Sequence, residues 1–223
     1  MNLISVDKIK LGYNNSAIIN GLSFDVDEQD FICIVGHNGS GKTTLIRGIL
    51  GLIPLMSGKI KFNIDRNQIG YMPQETAVDP NFPASVFEIV LSGTLNNHRN
   101  FYNNEDKERA DKTLHLLGIS DLKNESFSEL SGGQRQKILL ARTLMATKKI
   151  LILDEPSNNL DHKSKNDLYR IIKKLNEEQK IAVLMITHDL DHCNLIGNKI
   201  LSLHNKEYFF GTTEEYIKRV HNE

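Results

Sequence analysis

The sequence predicts an α/β fold, a mostly parallel sheet covered by helices. Three observations predict it. Residues 31–35, 150–153 and 181–186 are short unbroken apolar runs, as expected of strands buried on both faces. Helical, amphipathic stretches alternate with those runs. A glycine-rich segment follows the first run directly and gives way to an apolar-periodic stretch, which reads as strand, loop, helix.

Before the first buried run the pattern is different. Ile4, Val6, Ile9 and Leu11, then Ile18, Leu22, Phe24 and Val26, alternate in the manner of half-buried strands. The helix after the glycines is expected over residues 45–52, and 59–64 reads as a further strand. From about Glu75 to Ser128 strand-like runs give way to helical signals, a helical insert. Within it Asn104 is expected to cap a helix with Glu105 and Asp106 in its first turn, Ala110, Leu114 and Leu117 on its apolar face and Gly118 at its end. The α/β rhythm then resumes, with a helix over 134–145 and an amphipathic one marked by Leu168, Ile171, Ile172 and Leu175. Residues 200–203 and 208–210 flank a turn, and Thr212 and Glu215 have capping-box spacing for a last helix. The whole reads as one domain over 1–223, its core formed by 1–74 and 129–223 with the insert at about 75–128.

Composition narrows the function classes. With 27 basic and 28 acidic residues the net charge is −1, which argues against bulk electrostatic binding to nucleic acid. No apolar run approaches the roughly 20 residues that span a bilayer, and 1–5 lack the basic and apolar regions of a signal peptide, so a cytosolic location is expected. Two cysteines, Cys33 and Cys193, cannot make a disulfide framework, and Cys33 in a buried run reads as core packing.

The chemistry concentrates in three places. Gly36-His37-Asn38-Gly39-Ser40-Gly41-Lys42-Thr43 matches G-x-x-x-x-G-K-[ST]. In that pattern glycines let backbone N–H groups converge on phosphate oxygens, and the helix behind adds partial positive charge. Lys42 would reach the β- and γ-phosphates and the Thr43 hydroxyl would ligate Mg²⁺. The second place is 150–155, an apolar strand ending in Asp154 and Glu155. Asp154 is placed to support Mg²⁺ and Glu155 to polarise a water for attack on the γ-phosphate. The third is Leu130-Ser131-Gly132-Gly133-Gln134, where Ser131 is a good N-cap and two glycines expose N–H groups. A second anion site in a chain that already has one for ATP has two readings: a grip on the nucleotide of another copy, or a capped helix with a flexible entry, which is the default for an isolated S-G-G.

Leu130 to Gln134 is identical to the LSGGQ signature of ABC-transporter ATPases. The other motifs of that family appear in order. Tyr13 resembles the aromatic residue that stacks on adenine, Gln74 in Tyr71-Met72-Pro73-Gln74 resembles the Q-loop, Ser157-Asn158-Asn159-Leu160-Asp161 the D-loop, and His188 in Ile186-Thr187-His188-Asp189 the switch histidine. The resemblance covers essentially the whole chain. Two departures stand out: His37 where Pro or Glu is more usual, and an S-N-N-L-D D-loop; neither removes a chemical group.

The resemblance implies an ABC-type P-loop ATPase with a mostly parallel sheet core, an N-terminal antiparallel β subdomain and a helical insert. It implies a head-to-tail dimer that sandwiches two ATP molecules. Nucleotide would be held by Tyr13, Gly36, Asn38, Gly39, Ser40, Gly41, Lys42, Thr43 and Thr44 of one copy and Ser131, Gly132, Gly133 and Gln134 of the other. Glu155 would be the catalytic base, His188 would hold the γ-phosphate, and Gln74 would touch Mg²⁺ or the attacking water, with Thr43 and Asp154 on the metal. Such a chain works on the cytoplasmic face of the membrane, bound to an integral-membrane permease, with the permease docking on residues from about Glu75 to Phe101.

The stretches 69–74, 82–93 and 209–216 are similar to the branch that imports zinc or manganese with an extracytoplasmic metal-binding protein. Another cargo, such as an iron chelate or amino acid, and a soluble non-transport ATPase are the alternatives; one cassette with an ordinary insert disfavours the latter. His188, His192 and Cys193 have metal-ligand spacing on a helix, but the γ-phosphate role accounts for His188, and the other two fit an ordinary helix face.

Overall fold

The computed structural model describes residues 1–14, 16–74, 83–97, 101–204 and 207–221. Glu75, the expected start of the insert and of the permease surface, and Phe82, which opens one of the metal-branch stretches, lie outside the described residues. In chain order the elements are β1 (Asn2–Tyr13), β2 (Ser16–Asp27), β3 (Phe31–Val35), α1 (Lys42–Ile49), β4 (Ser57–Phe62), β5 (Ile69–Met72), α2 (Val86–Leu91), α3 (Asn104–Leu116), α4 (Gly132–Ala146), β6 (Ile150–Asp154), α5 (His162–Gln179), β7 (Ala182–Ile186), α6 (Leu190–Ile196), β8 (Lys199–His204), β9 (Glu207–Thr212) and α7 (Thr213–His221). They fall into two compact units, 1–66 with 176–223, and 67–175.

In the first unit β1 is the middle strand of an antiparallel sheet ordered β2-β1-β4. Its alternation holds, with Ile4, Val6, Ile9 and Leu11 buried, and a register shift between Val6 and Ile9 brackets Lys8 at φ +46°. The same unit carries β7, β3 and β8 as parallel neighbours, with β9 antiparallel on β8. All five residues of β3 and all five of β7 are buried, which is why each reads as an unbroken apolar run. The second unit pairs β5 parallel to β6 and packs helices against them. Here α4 buries Ile138, Leu139, Leu140, Ala141, Leu144 and Met145, and α5 buries Leu168, Tyr169, Ile172 and Leu175.

Some boundaries differ from the sequence expectation. The N-cap of α3 is Asn103, whose side chain accepts from Asp106 N–H while the Asp106 carboxylate accepts from Asn103 N–H. That reciprocal pair outcompetes a cap at Asn104, which has no acidic partner three residues on. Helix α1 begins at Lys42 rather than Leu45, because polar Lys42, Thr43 and Thr44 are its first turn. Ser85 and Glu88 make another capping box on α2, and the Ser85 hydrogen bonds hold the Glu88 carboxyl below its ordinary range. In the second unit Arg109 of α3 donates to the Leu144 carbonyl at 3.3 Å and to that of Met145, binding the last turn of α4.

Two buried polar clamps close the first unit. The Asn176 amide donates to the carbonyls of Gln29 at 3.1 Å, Asp30 at 3.2 Å and Ile181 at 2.8 Å. Asp30, 5% exposed, accepts from Asp27 N–H at 2.7 Å and from Lys199 Nζ at 2.8 Å. Burial alone would lower the Lys199 pKa, but its bond to Asp30 and the charges of Asp30 and Asp27 prevail and raise it. Replacing Asn176 by Leu removes this donor from the buried Ile181 carbonyl, while the Asp30 carbonyl keeps the Val183 N–H. We expect a loss of about 2 kcal/mol and a fall in Tm of about 4–8 °C; an unchanged melting curve would mean that the clamp contributes nothing.

Candidate active site

The chain leaves buried β3 at Gly36 and enters α1 at Lys42. Two glycines make the loop between them. A Cβ on Gly36 (φ +154°) would lie 2.4 Å from the Leu203 carbonyl oxygen and 2.7 Å from Ser40 Oγ. A Cβ on Gly41 (φ +100°) would lie 2.7 Å from Ile18 Cγ2. Only glycine meets both the left-handed backbone and the close approach. Gly41 is also the N-cap of α1 and supplies no side-chain hydrogen bond. The first-turn N–H groups of Lys42, Thr43 and Thr44 therefore have no side-chain cap. Lys42 is buried, and its ammonium folds back to donate to the carbonyls of Gly36 at 2.9 Å and His37 at 3.1 Å. Ser40 Oγ is buried and has no hydrogen-bond partner among the described residues. Asn38 and Gly39 are exposed and Thr43 is half-buried. An uncapped helix start, an inward ammonium and an unpartnered buried hydroxyl together fit a phosphate group.

Two more residues expected at the site lie in the same unit. Tyr13 stands 44% exposed at the end of β1. His188 is exposed, two residues beyond β7, and follows Thr187, whose N–H donates to the Ile34 carbonyl of β3 at 3.3 Å.

In the second unit β6 is buried throughout and ends at Asp154, 2% exposed. The next residue, Glu155, adopts φ +50°, uncommon for a non-glycine residue. Gln74, just past β5, donates from Nε2 to Glu155 Oε2 at 2.8 Å. Asn158 Nδ2 donates to the same oxygen. The two motifs that the sequence keeps 81 residues apart are thus joined side chain to side chain, because parallel neighbours β5 and β6 end side by side, with Met72 opposite Leu153.

Asn158 was read from the sequence only as part of the D-loop, and its contact with Glu155 was not expected. Its signal was the D-loop departure, which puts an amide three residues after Glu155. The rest of that loop is also held. Gln136 of α4 donates to the Pro156 carbonyl, Ser157 Oγ lies 2.8 Å from the Tyr169 hydroxyl, and Asp161 accepts from Lys163 N–H, Ser164 N–H and Ser164 Oγ. The Ser164 bonds hold the Asp161 carboxyl below its ordinary range.

The helix start expected at Ser131 is present. Ser131 Oγ accepts from Gln134 N–H at 3.3 Å, and Gln134 Oε1 accepts from Ser131 N–H at 2.9 Å. Gly132 is exposed, and a Cβ on Gly133 would lie 2.7 Å from Ser164 Oγ. The helical spacing of His188, His192 and Cys193 is not realised, since α6 begins only at Leu190. The His192 ring turns to Asp189 at 2.9 Å while Cys193 is buried. Among the described residues no three His, Cys, Asp or Glu side chains cluster as a metal site. None of the described helices is long and apolar enough to cross a membrane.

Comparison with known proteins agrees with this fold. The family profile described as "ABC transporter" matches residues 19–158. A Chlamydia pneumoniae protein named "Probable metal transport system ATP-binding protein" is 41% identical over 200 residues, 86% of this chain and 81% of that protein. The Bacillus subtilis high-affinity zinc uptake system ATP-binding protein ZnuC is 33% identical over 93% of each chain. The ADP conformation of MJ1267, an ATP-binding cassette of an ABC transporter, superposes with a TM-score of 0.88 at 25% identity, over 100% of this chain and 96% of that one. Phosphate loop, acidic strand end and signature helix thus stand in the fold that those proteins share, and the chain belongs to the ATP-binding subunits of ABC transporters.

Proposed function

We propose that the chain is the energy-coupling subunit of an importer for a divalent transition metal, zinc or manganese. It works as a head-to-tail dimer on the cytoplasmic face of a membrane permease. The metal reading rests on the metal and zinc systems among its relatives. The observation that carries the hydrolytic reading is the convergence of Gln74 and Asn158 on one oxygen of Glu155. Two amide donors fix the carboxylate in orientation, and the left-handed backbone at Glu155 turns it out of the buried strand.

In this reading the N–H groups of the 36–44 loop and the Lys42 ammonium take the β- and γ-phosphates. Lys42 then exchanges the Gly36 and His37 carbonyls for phosphate oxygens, a stronger, charge-assisted pairing. Tyr13 stacks on adenine. Thr43, Asp154 and Gln74 are oxygen donors that suit Mg²⁺, which when bound neutralises phosphate charge. Glu155 polarises the attacking water, His188 holds the γ-phosphate, and Ser131, Gly132, Gly133 and Gln134 of a second copy close over it. For Ser131 and Gln134 to do so, their mutual capping bonds must loosen or be shared. ATP binding closes the dimer and hydrolysis reopens it, and the permease receives that motion.

Glu155→Gln keeps the shape and both amide contacts but removes the proton acceptor. It is expected to bind ATP, to lose at least about a hundredfold in turnover, and to elute as a dimer in ATP. Wild-type turnover would remove Glu155 as the base. Lys42→Ala is expected to weaken ATP binding by about 10–100-fold, from the loss of a charge-assisted contact. Equilibrium titration with a fluorescent ATP analogue measures this, and an unchanged Kd would refute the phosphate role of Lys42.

A further inference from the structure

The loop that carries His188 is braced by a residue with no role in the reaction described so far. Thr187, 3% exposed, accepts at Oγ1 from Asp189 N–H at 3.1 Å. Asp189 is the N-cap of α6, and its Oδ1 accepts from His192 N–H at 3.0 Å. Its second oxygen, Oδ2, lies 2.9 Å from His192 Nδ1. One residue of α6 therefore holds both oxygens of the carboxylate next to His188. The two side chains are 13% and 21% exposed, so water competes poorly for that bond.

The far end of the brace is anchored too. Cys193, beside His192, is fully buried, and its N–H donates to the Asp189 carbonyl at 3.1 Å. Its thiol meets that of Cys33 on β3, and this contact together with burial pushes the Cys33 thiol well above its ordinary pKa. Buried and packed, the two cysteines fix α6 against β3, the strand that feeds the phosphate loop. His192 and Asp189 extend that anchorage to the residue adjoining His188.

We infer that His192 is a positioning residue for hydrolysis. Its Nδ1–H holds Asp189, and Asp189 fixes the backbone from which His188 reaches the γ-phosphate. This rests on the γ-phosphate reading of His188. The role needs a hydrogen-bond donor at the Nδ1 position and nothing else from the ring. Asparagine places its Nδ2 at that position, whereas leucine fills similar volume with no donor. His192 touches no nucleotide in this arrangement, so its loss affects the chemical step rather than ATP affinity.

The test compares His192→Leu, His192→Asn, His188→Ala and the His188→Ala/His192→Leu double variant of the full-length chain. Steady-state ATP hydrolysis and thermal melting are measured for each. His192→Leu is expected to lower kcat by about tenfold, with KM for ATP within about twofold of wild type. His192→Asn is expected to restore kcat to within about twofold of wild type. In the His188→Ala background, His192→Leu is expected to cause no further loss, because both act through one group. Wild-type kcat in His192→Leu, an equal loss in His192→Asn, or a further loss in the double variant would each overturn the inference. If His188→Ala itself turns over normally, the γ-phosphate reading falls and this inference with it. If only His188→Ala is impaired, this inference alone falls.

Discussion

The constraint on which this structure depends is the abrupt change of environment at the ends of its buried strands. β3, β6 and β7 are buried along their whole length, and apart from Asp154 at the end of β6 they carry only apolar side chains. Each ends in a polar turn: Gly36 after β3, Asp154 and Glu155 at β6, Thr187 and His188 after β7. Parallel strands point the same way, so within each unit those turns emerge together. The strand interior supplies rigidity and the strand end carries the polar groups. The buried clamps of Asn176 and Asp30 serve this arrangement by tying down the segments that enter β3 and β7.

Around Glu155 the structure spends backbone freedom to place one carboxylate. A left-handed residue follows directly on a fully buried strand, and amide donors from two separate segments meet its oxygen. The signature helix belongs to the same network, since Gln136 of α4 holds the Pro156 carbonyl beside Glu155. Within this unit α4 is thereby tied by a hydrogen bond to the backbone of the residue that follows Glu155.

Much of this was legible in the sequence because it is written locally. Unbroken apolar runs gave β3, β6 and β7, and the glycine spacing gave the loop before α1. Both kinds of signal are properties of adjacent residues. Contacts between distant segments were not legible: the Gln74–Glu155 bond spans 81 positions, and Cys33 meets Cys193 only because α6 packs beneath β3. The α3 cap fell one residue away because Asn103 and Asn104 are both good caps, and only Asn103 has an acid three residues on. The metal-ligand spacing of His188, His192 and Cys193, set aside on the sequence, does not lie on one helix, because His188 precedes α6.

The central claim is that hydrolysis at Glu155 drives metal import. Uptake of radiolabelled zinc and manganese, in cells lacking other importers of those metals and carrying either the wild-type chain or Glu155→Gln, tests it most directly. The account predicts that the variant abolishes uptake of one of the two metals while the wild-type chain sustains it. Equal uptake of both metals with either chain would contradict metal import.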